Sequence, residues 1–196
     1  AGASEDGREL AAGTAEVVFA AQQRFEEAQN FYADVKRRMP AYGRDPDSLK
    51  ILPGLMVFVA ETREQAQAEY DELQDLIDPV MGLALLSQRM DFDFSGFDPD
   101  APAPQVPVTP RGGSRAVLIN DQIAKNPGIT LRDLYKHFAA GRGHGVIVGS
   151  TQEVADHMER WFVGKACDSF NIMPPVYPRD LRRFNALVLP ELQRRG

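Results

Sequence analysis

Two compact apolar runs, Ala15 to Ala21 (AEVVFAA) and Leu49 to Ala60 (LKILPGLMVFVA), flank a stretch of helical periodicity, and that alternation is the strongest constraint on the fold. The first run is too short for a helix. With Val17, Val18 and Phe19 at its centre it reads as a buried strand. Between the runs, Phe25, Ala28, Phe31, Tyr32 and Val35 recur every three or four residues, which predicts a helix from Arg24 to Met39 with one apolar face. Tyr42-Gly43-Arg44-Asp45-Pro46 ends it. Pro53-Gly54 interrupts the second run and suggests a kink or bulge. Thr62 then caps a helix through Ile77. Strand, helix, strand, helix is the rhythm of a parallel α/β fold.

The rhythm stops at Asp78. From there to Arg142 no clear strand is found. Val80 to Met90, Ser114 to Lys125 and Thr130 to Ala139 read as helices, and Asp91 to Gly113 as an irregular excursion rich in aspartate and proline. A mostly helical insertion at about 78–143 is therefore expected. Beyond it, Gly145 to Gly149 is either a fourth strand or a peripheral extended piece. Thr151 is expected to cap a helix to Val163, with Val154, Met158, Trp161 and Phe162 inward. Cys167 to Met173 reads as a last strand, and Asp180 opens a final helix interrupted by Pro190. The expected sheet has three parallel strands, near Ala15, Ile51 and Phe170.

The chain has 196 residues, whereas a closed eight-stranded α/β barrel typically takes about 250. Its net charge is −6, and its short basic clusters (Lys36-Arg37-Arg38, Arg194-Arg195) suit solvated helix faces, so nucleic acid is not an expected partner. No apolar run approaches the roughly 20 residues that span a bilayer. Glu5, Asp6, Arg8 and Glu9 argue against a signal peptide. The lone Cys167 fits a reducing compartment, so a cytoplasmic location is expected.

One motif stands out chemically. Ala1-Gly2-Ala3-Ser4 is a small-residue turn feeding an acidic helix start that Gly13 should close. Free amides and the positive end of a helix dipole suit an anion such as a phosphate. A simple capping serine is the commoner meaning of such a segment. His137, His144 and His157 share no metal spacing and read as surface or hydrogen-bonded histidines, so no metal site is expected. Cys167 reads as a buried thiol, and Asp91, Asp93, Asp98 and Asp100 as turn residues rather than a calcium loop.

Taken together, several segments resemble the nitrilotriacetate monooxygenase group of bacterial-luciferase-like, flavin-dependent monooxygenases. They are AGASEDGRELAAGTAEVVFAAQQ, FYADVKRRMPAYGRDPDSLKILPGL, HGVIVGSTQEVADHMERWF, CDSFNIMPP and VLPELQRRG. The resemblance runs from Ala1 to Gly196 and implies the C-terminal half of a TIM (β/α)8 barrel. It implies reduced FMN supplied by a separate flavin reductase, dioxygen as co-substrate and a small organic substrate. It also implies FMN phosphate binding at Ala3, Ser4 and Glu5, and completion of the barrel by an N-terminal half or by a homo-oligomer. Asp168-Ser169-Phe170 and Gly149-Ser150-Thr151 depart mildly from the family's Asp-Gly-Phe and Gly-Thr-Pro, although Ser150 or Thr151 can still cap the helix, and no catalytic residue can be assigned in this half. Two other readings are a non-catalytic fragment or assembly subunit that keeps only the fold, and a piece of a phosphate-binding isomerase or aldolase. The last is weak, because no lysine stands at the end of an expected strand.

Overall fold

The computed structural model describes residues 4–108, 113–141 and 143–196. Ala3, and the end of the irregular stretch at 109–112, lie outside them. The chain forms two compact units, Ala1–Tyr70 with Gly143–Gly196, and Asp71–Arg142.

The first unit is α/β. Strand β1 (Val17–Ala20) follows helix α1 (Glu5–Thr14). Helix α2 (Phe25–Arg38) leads to β2 (Lys50–Ala60), and α3 (Arg63–Asp75) begins beyond it. After the second unit come β3 (Gly145–Ser150), α7 (Thr151–Val163), β4 (Asn171–Met173) and α8 (Arg179–Arg195). All pairings are parallel and all are made to β2. Val17–Ala20 lie opposite Lys50–Pro53, Gly145–Ser150 opposite Leu55–Ala60, and Asn171–Met173 opposite Gly54–Met56. Leu55 and Met56 are shared by β3 and β4, so those two occupy opposite edges. The end of β1 meets the start of β3: Gln23 Nε2 donates to the His144 carbonyl at 3.4 Å. One edge of β2 therefore carries β1 and then β3 in series. The sheet has four strands, the three expected and the Gly145 segment as the fourth, because 11 residues of β2 give room for both.

Side chains alternate across the sheet. On one face, Val18 and Ile51 pack with Ala11, Ala12, Phe31 and Val35 of α1 and α2. Leu55, Val57 and Val59 continue that face under Val154, Phe184 and Val188 of α7 and α8. On the other face, Val17 is 59% and Phe19 46% exposed, and Leu52, Met56 and Met173 are only half-buried.

A buried polar clip joins the two ends of this unit. The Asp168 carboxylate accepts from Ile51 N at 2.8 Å and from Tyr32 Oη at 3.1 Å, and pairs with Lys36 Nζ at 3.2 Å. Asp168 N donates to the Ile51 carbonyl at 2.9 Å. Lys36 also reaches the Pro46 and Leu49 carbonyls. Burial, then the Asp168 charge, pushes the Tyr32 hydroxyl up to about 12. The clip explains why the last strand begins at Asn171 rather than Cys167: the Asp168 side chain takes an amide of β2 that a longer strand would have paired. Burial likewise pushes the Cys167 thiol up to about 12, so it is a buried core thiol as expected.

Two helix ends, one side-chain orientation and one helix interior differ from the sequence reading. Helix α1 runs through Gly13 to Thr14, whose hydroxyl bonds back to Leu10 O at 2.7 Å. Ser150, not Thr151, caps α7: Ser150 and Glu153 form a reciprocal capping box. Trp161 is buried but Phe162 is 55% exposed, since adjacent helical residues diverge by about 100°. Helix α8 continues through Pro190, because Val188 and Leu192 on either side are held in the core.

The second unit holds α4 (Pro79–Met90), α5 (Gly113–Lys125) and α6 (Leu131–Gly141). Asp78 caps α4 through Val80 N and Met81 N. Leu83, Leu86, Met90, Phe94, Leu134 and Tyr135 form its core. Gly82 lets α4 and α6 touch: a Cβ there would stand 2.6 Å from the Tyr135 ring. Among the described residues, extended pairing in this unit is limited to one bridge, Pro102 to Thr130.

Candidate functional site

Ser4 has extended backbone, and its hydroxyl accepts from Gly7 N at 3.3 Å. This is the capping geometry the sequence reading anticipated. The next residues are acidic, but their charge is managed. Glu5 pairs with Arg38 Nη1 at 2.7 Å. Arg38 also binds Glu9 and, at 2.9 Å, Asp34, which holds Arg8 at 2.9 Å as well. Partial burial works to raise the Asp34 carboxyl, but Arg38, Arg8 and Arg37 outweigh it and hold it at about 2. Hydrogen bonds from Tyr42 and Arg38 hold Glu9 below the usual carboxylate range. Glu5 and Glu9 are thus turned onto Arg38, which offsets part of the negative charge at the start of α1.

The placement of α1 follows from its link to β1. Only Ala15 and Glu16 separate them, so α1 runs back against the strand direction. Its last turn sits beside Tyr42 and Arg44, where α2 has finished: Gly13 packs on the Tyr42 ring, and Arg44 donates to the Ala12 and Ala15 carbonyls at 2.8 and 2.6 Å. Its first turn, with Ser4, points toward the side on which the strands end.

On that side the open sheet face carries a second feature. The His144 ring stacks on Phe19, centroids 4.8 Å apart and planes within 8°. A Cβ at Gly54 would stand 2.6 Å from His144 Nδ1 and 2.9 Å from Met173 Sδ, so the absence of a side chain at 54 makes the seat for this ring. His144 Nδ1 is enclosed and lacks a hydrogen-bond partner. The expectation of a surface or hydrogen-bonded histidine is corrected here. Its seat is built by Phe19, Gly54 and Met173, which stand 125, 90 and 29 positions away in sequence, so no local pattern reveals it.

His157 departs from that expectation too. Its ring lies 5.4 Å from Trp161 and 6.3 Å from Phe170, and its Nε2 is buried without a partner. Burial, with help from Arg160, holds its pKa below the ordinary 6.5. The unfolded chain therefore binds the proton more readily. The stability this group contributes is complete above about pH 6.5 and is lost as pH falls from there toward the folded value. Urea midpoints across that window should fall with acidification, and His157→Phe should flatten the slope. An unchanged slope in the variant would refute the assignment. His137 lies in α6 beside Phe138. Among the described residues no group of acidic, His or Cys side chains could hold a metal, and no helix is long and apolar enough to cross a membrane.

The family model described as luciferase-like monooxygenase matches residues 1–166. N-acetyl-S-(2-succino)cysteine monooxygenase of Bacillus subtilis (strain 168) is 44% identical over 199 aligned residues, which cover the whole chain and 45% of that protein. Nitrilotriacetate monooxygenase component A of Aminobacter aminovorans is also 44% identical, with the whole chain and 44% of the protein covered. The crystal structure of DmoA from Hyphomicrobium sulfonivorans superposes with a TM-score of 0.81 at 32% identity, covering all of this chain and 41% of the other. The chain thus spans less than half the length of these relatives.

Proposed function

The chain belongs to the luciferase-like monooxygenase family, and from that premise we propose that it forms the C-terminal half of a (β/α)8 barrel in an FMN-dependent monooxygenase. In this reading a separate reductase supplies reduced FMN, and dioxygen and a small organic substrate are consumed. The observation that carries it is the 44% identity, along the entire chain, to two monooxygenases. The strands' exposed inner face suits the missing strands of such a barrel, and residues 78–143 would be an insertion in its sequence.

The residues present fit a flavin in two respects. The start of α1 offers amide donors with Glu5 drawn onto Arg38, and the open face offers an aromatic surface with a seated, unpartnered imidazole nitrogen. Ser4 and the neighbouring backbone, Ala3 and Glu5 included, would hold the phosphate through hydrogen bonds and the helix dipole. Phe19, Leu52, Met56 and Met173 would shield the chamber from water. Bound reduced flavin supplies the electrons with which dioxygen is activated. The residues of this half position the ligands and exclude solvent.

The test is a chimera in which this chain replaces the matching segment of the B. subtilis enzyme. With NADH and a flavin reductase it should consume oxygen only when FMN is supplied, and equal turnover without flavin would refute the reading. In the same protein, Ser4→Ala should weaken FMN binding about ten- to a hundredfold, the worth of one hydrogen bond to a charged group. Riboflavin, which lacks the phosphate, should bind Ser4→Ala as it binds the unmutated chimera. Equal weakening of both would move the phosphate elsewhere.

A further inference from the structure

His144 is held more tightly than a packing residue needs to be. Phe19 stacks on its ring, Gly54 clears space beside Nδ1, and the Met173 sulfur closes the same seat. The residue that follows is Gly145, where even a Cβ would stand 3.2 Å from Leu55, so the backbone passes close against β2 just as the imidazole is set down. Nδ1 is enclosed and makes no hydrogen bond. A buried N–H with no acceptor is among the rarest features of folded proteins, while an acceptor left short of a donor is tolerated more often. The neutral ring therefore keeps its proton on Nε2, and the fold holds a directed N–H donor on the face where the strands end.

We infer that His144 is a ligand-contacting residue. Its Nε2–H donates to an acceptor oxygen of the molecule lodged on the open face, either a flavin carbonyl or an oxygen of the organic substrate. The inference rests on the barrel reading above. It adds to that reading a residue of this half which touches the ligand away from the phosphate. Phe19 and Gly54 act through His144, as positioning residues.

Two substitutions in the chimera separate the donor from the ring. His144→Phe keeps the stack on Phe19 and removes the donor. His144→Gln loses the ring but places an amide N–H near the Nε2 position. Riboflavin affinity, followed by flavin fluorescence, reports on the isoalloxazine. KM for N-acetyl-S-(2-succino)cysteine reports on the substrate. His144→Phe should weaken one of the two roughly tenfold, a single hydrogen bond's worth, and His144→Gln should recover most of it. A loss in riboflavin affinity identifies the flavin as acceptor, and a loss confined to KM identifies the substrate. In the unmutated chimera, 15N spectra of the histidines should place the His144 proton on Nε2. A proton on Nδ1 would overturn the inference, as would equal losses in the two variants or unchanged values in His144→Phe. If the unmutated chimera does not turn over, the functional reading fails by itself. In that case unchanged riboflavin affinity in His144→Phe overturns the inference as well.

Discussion

Asp168→Ala in the completed barrel should cost about 3–5 kcal/mol of unfolding free energy, the usual penalty for removing one partner of a buried ion pair. Three interactions go at once: the pair with Lys36, the bond from Ile51 N and the bond from Tyr32. The lysine is the expensive remnant, because its ammonium stays buried with the Pro46 and Leu49 carbonyls and the Tyr32 ring but no anion beside it. Adding Lys36→Met should therefore return a large part of the loss, which a double-mutant cycle in urea would register as a strong coupling. A cost of less than about 1 kcal/mol for Asp168→Ala, the range of surface ion pairs, would mean that the clip is not what ties β4 to β2.

The second large effect concerns the chain by itself. Val17 and Phe19 are 59% and 46% exposed on the open face, with Leu52, Met56 and Met173 half-buried beside them. Each apolar side chain left in water forgoes up to roughly 1.5–3 kcal/mol of burial, against a typical net domain stability of about 5–15 kcal/mol. The edges of β1, β3 and β4 that face away from β2 also present unpaired backbone groups. The isolated 196-residue chain should sediment as an oligomer or bind a hydrophobic dye, and should bind FMN far more weakly than the chimera. A monodisperse monomer with one sharp thermal transition and no dye binding would show that the face needs no cover.

How much of this was legible in the sequence depended on how local each cause was. Strand β1, helix α2 and strand β2 were legible because a short apolar run, a period-3.6 stripe and a second apolar run are each carried in the element's own residues. The capping box at Ser150 and Glu153 was also present as a local signal, yet Thr151 is the more obvious helix opener when the reciprocal bond is not considered. The start of β4 was not legible, since Asp168 spends its side chain on an amide 117 positions away. The two half-buried histidines illustrate the same limit. His157 stands among polar neighbours in sequence, and only the fold brings Phe170 and Trp161 onto it. At the candidate site, Ser4 was legible as a helix cap from its own segment. The seat of His144 requires Phe19, Gly54 and Met173 from three different strands.

The long central strand has a consequence for how such a chain can diversify. The path into the second unit leaves from Tyr70, whose ring rests on Phe58 at 5.0 Å, and the path out returns at Gly145, opposite Leu55. Departure and return are both moored to the outer half of β2. The 72 residues between, Asp71–Arg142, form a core of their own. Closing a longer excursion adds only about 0.6 kcal/mol for each doubling of its length. That segment can lengthen, shrink or be exchanged wholesale over evolutionary time without re-registering a single strand, so its sequence is free to drift toward new recognition while the pairings of β2 stay fixed.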